Sequence, residues 1–75
     1  MIKELDVVVL MEDIPDHGLK IGDIGTVVHC YSDQQAYEVE FVRAAGQTVA
    51  VLTLTSSAVR SMADSEILHA RQLAG

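Results

Sequence analysis

Hydrophobic and polar positions alternate most cleanly from Ala36 to Val42. Tyr37, Val39 and Phe41 fall on one side and Glu38 and Glu40 on the other. That is the period of a strand with one face in a core and one in water. Leu5 to Met11 and Thr48 to Leu54 read differently. Both are apolar or β-branched at nearly every position and predict strands covered on both faces, inside a barrel wall or beneath another chain. Gly25 to Tyr31 predicts a further strand, with Val27, His29 and Tyr31 on one face and Val28 and Cys30 on the other.

The connections carry turn chemistry. Glu12 to Gly22 is a polar loop, restricted by Pro15, in which Gly18 and Gly22 supply positive φ. Leu19 and Ile21 are expected to point inward and pin this loop to the core. Ser32-Asp33-Gln34-Gln35 is a turn of residues that hydrogen-bond their own backbone. Ala44-Ala45-Gly46-Gln47 closes a hairpin, with Gly46 placed for a left-handed residue and a bulge. Gly18, Gly22, Gly25 and Gly46 are the glycines expected to shape turns.

After Met62 the pattern changes. Ile67, Ala70 and Leu73 have helical spacing, Asp64 or Ser65 can cap, and Glu66 suits a first turn. A strand with Leu68 and Ala70 inward fits the same residues, and the helix is the favoured reading. A helix of this length does not hold alone in water, so the tail must dock.

With 75 residues the chain accommodates one domain, with a barrel core over about 4–62 and a tail over about 63–75. Its stability is expected at about 4–11 kcal/mol. Hydrophobic residues make up 49%, a surplus for so small an interior that points to a dense core or to a face covered by another chain. The net charge of −6, with Lys3, Lys20, Arg43, Arg60 and Arg71 scattered, argues against nucleic acid, whose phosphates require clustered cations. Acidic residues interrupt the N-terminal segment, and Val7 to Met11 is too short to span a bilayer. Together with the single cysteine, Cys30, this predicts a reduced, cytoplasmic protein without membrane association.

Candidate chemistry is sparse. Ser56, Ser57, Ser61, Asp64 and His69 lack a glycine-flanked nucleophile elbow and read as turn-capping residues. His17, His29, His69 and Cys30 lack the paired spacing of zinc ligands. Cys30 reads as a small core residue rather than an activated thiol. Glu38 and Glu40, about 7 Å apart along a strand, read as a solvated outer pair. No cofactor, metal or catalytic site is expected.

Three blocks carry a resemblance: Leu5-Asp6-Val7-Val8-Val9-Leu10, Gly18-Leu19-Lys20-Ile21-Gly22-Asp23-Ile24-Gly25-Thr26-Val27-Val28 and Tyr37-Glu38-Val39-Glu40-Phe41. In this order they resemble a family of short bacterial single-domain proteins catalogued as a domain of unknown function. Similarity to the SH3-like domain of nitrile hydratase β subunits implies an all-β, five-stranded SH3-like barrel with a C-terminal extension, in which Thr55-Ser56-Ser57-Ala58 resembles the short 3₁₀ turn before the last strand and Val59 to Met62 is the fifth strand. The resemblance implies a binding accessory and supplies no catalytic residue. The expected function is non-catalytic protein binding, in an immunity- or antitoxin-like partnership with a neighbouring protein. The expected contact surface is Val8, Leu10, Val49 and Val51 with the tail at Leu68. The alternatives are an accessory or maturation subunit of an enzyme and a structural homodimer.

Overall fold

The computed structural model describes residues 1–73 of the chain. Five strands form one antiparallel sheet: β1 (Val7–Leu10), β2 (Ile24–Cys30), β3 (Ala36–Val42), β4 (Thr48–Thr55) and β5 (Val59–Ser61). The spatial order is β4-β3-β2-β1-β5. β1 to β4 therefore form a meander, and a 3₁₀ turn at Ser56–Ala58 returns the chain so that β5 lies beside β1. This is the small SH3-like barrel expected from the sequence.

The core gathers one face of each strand. Val8, Val27 and Val39 are wholly buried, with Leu10, Tyr37, Phe41, Leu54 and Val59 around them. β1 is shorter than its apolar run because Lys3 to Asp6 is a closed turn. The Asp6 carboxylate accepts from the Lys3 N–H at 2.9 Å, and Leu5 takes φ 72° with its side chain in solvent.

Two bulges alter the expected facing of side chains. In β2, Val27 pairs with Val39 and His29 with Glu38, so Val28 is an extra, unpaired residue. The alternation restarts there. Cys30 joins Val27 on the core side and His29 moves to the outer face, which corrects the arrangement expected from simple alternation. In β4, Phe41 pairs with Ala50 and Val42 with Thr48, leaving Val49 extra and packed against the core.

The long loop forms a miniature hairpin. Ile14 and Leu19 exchange backbone hydrogen bonds of 2.8 and 3.1 Å around the turn Pro15–His17, and Gly18 closes it at φ 69°. Leu19 is buried as expected, but Ile21 is exposed. Ile21 occupies the tip of a Lys20–Asp23 turn in which Gly22 has φ 93°, and that geometry aims its side chain at water.

Gly25 is not a turn residue. It lies within β2, opposite Val8, and it is buried. A Cβ there would come within 2.6 Å of Val39 Cγ1 and 2.9 Å of Phe41 Cε1, so the core requires its missing side chain.

The tail is neither helix nor strand over residues 62–73. The favoured helix does not form. Glu66 accepts from the Ala63 N–H at 2.7 Å, the contact of a helix start, and from both terminal nitrogens of Arg60, but the chain does not continue as a helix. Ile67 and Leu68 remain exposed.

Candidate functional site

The expected contact residues separate into two groups. Val8 and Leu10 are inside the core and present nothing to a partner. Val49, drawn in by the β4 bulge, packs against the same core. Val51 and Leu68 are on the surface, at 50% and 73% exposure. The structure does not bring these five together as one patch. β1 is covered largely by its own chain: Val8, Val9 and Leu10 are buried, Val7 is 41% exposed, and both of its edges are paired, with β2 and β5.

Two surface features remain. The first is the outer side of β4. This strand ends the sheet, so one row of its backbone N–H and C=O groups faces away from β3. Among the described residues, no backbone hydrogen bond outside the sheet ladder uses Thr48 to Thr55. No charged residue or proline occurs between Ala44 and Val59. Charges and prolines are the usual devices that stop an edge strand from pairing, and here only the bulge at Val49 is present. Beside the edge the outer face is polar. Glu38 accepts hydrogen bonds from Tyr31 at 3.0 Å and from Thr53, and Glu40 accepts from Thr48 at 2.9 Å. The Glu38 carboxylate holds the Tyr31 phenol above its usual range, and His29 meets the Tyr31 ring edge-on at 4.9 Å.

The second feature is the tail seated on the barrel. Arg71 places a two-pronged contact on Asp23, Nε to Oδ1 at 2.7 Å and Nη2 to Oδ2 at 2.5 Å. The same Nη2 donates to the Gly18 carbonyl at 2.9 Å. Asp23 is held for this task by the Lys20 N–H, which donates to Oδ2 at 2.8 Å. Arg71, opposed in part by burial, keeps the Asp23 carboxyl below its ordinary range. A groove of about 440 Å³ runs alongside, between Leu19, Ile24, Phe41 and Val49 of the barrel and His69 to Leu73 of the tail. Sequence reading missed this site because Asp23 and Arg71 are 48 residues apart, and no local pattern links them.

The Cys30 thiol turns inward and donates to the Ile2 carbonyl at 3.7 Å. Among the described residues no group of three or more His, Cys, Asp or Glu side chains is arranged to hold a metal ion. No helix in them is long and apolar enough to cross a membrane.

The architecture defines a small all-β scaffold with an open edge and a tail-covered groove. Residues 4–61 match the family described as Domain of unknown function (DUF4926), and the chain belongs to that family. The match spans all five strands and ends at the last residue of β5. No curated protein and no solved structure matches the chain.

Proposed function

We propose that this chain is a non-catalytic protein-binding module whose partner adds a strand along the β4 edge. The observation that carries this reading is the edge itself: eight residues, Thr48–Thr55, uncharged, unpaired on one side among the described residues and bearing the half-exposed Val51. Main-chain hydrogen bonds supply affinity in strand addition, and side chains beside the edge supply selectivity. Here those side chains are Val51, Thr53 and Thr48, with the carboxylates of Glu38 and Glu40 one strand further in. A chain of net charge −6 favours a partner with a basic face, the setting of an immunity- or antitoxin-like protein. Pairing of two β4 edges, the homodimer, uses the same strand without bringing charged residues of β4 together.

The test is Val51→Lys, which puts a charge on the edge while leaving the core untouched. The expected outcome is loss of the complex seen by native mass spectrometry, with unchanged far-UV circular dichroism and melting temperature. A folded Val51→Lys protein that retains its partner would refute the edge as the contact. A melting temperature that rises with protein concentration in the wild type alone would identify the partner as a second copy.

A further inference from the structure

The tail is held to the barrel by side-chain contacts. Over residues 62–73 it has no regular structure, and Ile67 and Leu68 face solvent rather than the barrel. Among the described residues two Arg–carboxylate pairs anchor it: Arg60 with Glu66 at 2.7 Å, within and just after β5, and Arg71 with Asp23 at 2.5 Å, across the fold. The acceptor half of the second pair belongs to the barrel. Asp23 is oriented by the Lys20 N–H and the Gly18 carbonyl by the Ile14–Leu19 hairpin, both independently of the tail. Three acceptor positions therefore face one guanidinium, a match to its planar fork that a lysine ammonium does not reproduce. Beside them the groove accommodates Leu73, two residues on, which is partly buried. The family match covers the acceptor residues and stops before the segment that fills them.

We infer that the Asp23–Gly18 notch and its groove form a recognition site for an extended, arginine-bearing segment of a partner protein, with the chain's own residues 69–73 as a built-in competitor. The ligand pattern is an arginine followed two positions later by an apolar residue, as in Arg71-Gln72-Leu73. The segment is held by a few partly covered polar contacts and has no regular structure of its own over residues 62–73, so it is displaceable where a packed helix would not be. The inference rests on the reading of the chain as a binding module, but it concerns a different surface from the β4 edge.

The experiment titrates a synthetic peptide of the 66–73 sequence into full-length protein carrying Arg71→Ala, followed by backbone amide NMR. Saturable shifts at Gly18, Leu19 and Asp23 are expected, with affinity at least about tenfold above that for the wild type, whose site is occupied. Alanine in place of the peptide's arginine, or Asp23→Asn in the protein, should abolish them, and lysine in the peptide should weaken them. Arg71→Lys provides a second protein should Arg71→Ala unfold. No shifts in a folded variant, or equal binding of the alanine peptide, would overturn the inference. So would a wild-type dimer that dissociates on Arg71→Ala, because the tail would then be exchanged between copies. Val51→Lys should leave the titration unchanged, so failure at the β4 edge and failure at this notch are read separately.

Discussion

Alanine at Gly25 places a methyl group where the core has no room for one. Its Cβ would lie 2.6 Å from Val39 Cγ1, 2.9 Å from Phe41 Cε1 and 3.1 Å from the Glu40 carbonyl oxygen. Carbon atoms pack best at about 3.5–4.0 Å, so the overlap with Val39 is about 1 Å. Val39 and Phe41 are both buried and cannot swing aside freely, and the Glu40 carbonyl is fixed in the β3 backbone. Overpacking costs ~1–3 kcal/mol, and three blocked directions put this site at the upper end. Removing glycine's extra freedom in the unfolded chain returns about 0.5–1 kcal/mol. The net loss is then about 2 kcal/mol, against a total of about 4–11 kcal/mol for a chain of this length. In a domain of this size that lowers the melting temperature by about 8–16 °C. Urea unfolding followed by circular dichroism should show a lower midpoint with an unchanged slope. Val39→Ala should relieve the closest contact, so the double variant should lose less than the two single losses added. A wild-type midpoint for Gly25→Ala, or strict additivity with Val39→Ala, would refute the argument.

Other outcomes follow from burial and charge. Leu10→Ala empties a fully enclosed site and should cost ~2–5 kcal/mol in urea unfolding, whereas Leu68→Ala, mostly in solvent, should stay within about 0.5 kcal/mol of wild type. The Glu66 carboxyl is lowered from its ordinary 4.5 to about 2, first by Arg60 and then by the Ala63 N–H. Its contribution is therefore complete above about 4.5 and is lost as the pH falls toward 2. NMR titration of the Glu66 carboxyl should show the low midpoint; a midpoint near 4.5 would mean that Arg60 does not hold the tail.

The sequence was most informative where side-chain period and backbone period coincide. β3 runs from Ala36 to Val42 as its alternation predicts, and the Gly46 turn follows from an equally local signal, whereas the fifth strand was expected only through the likeness to SH3-like barrels. Facing was lost at Val28 and Val49, because an extra residue in a bulge reverses the alternation and is set by the partner strand rather than by its own neighbours. β1 misled in another way. An apolar strand covered by its own chain and one covered by a partner have the same composition, and only the burial of Val8, Val9 and Leu10 in the folded chain separates them. The notch was invisible for want of any local sign that Arg71 reaches Asp23 and Gly18.

The pairing of β1 with β5 also orders events during synthesis. β1 is the first strand to be made and β5 the last, yet they are neighbours in the sheet. Until Val59–Ser61 has emerged, Val7–Leu10 has one side open, and a nascent or interrupted chain presents Val-Val-Val-Leu as a bare edge. Such an edge is an aggregation template. A stop just after Ser61 would spare the sheet, but a stop only a few codons further upstream would remove β5 and leave β1 as a bare edge.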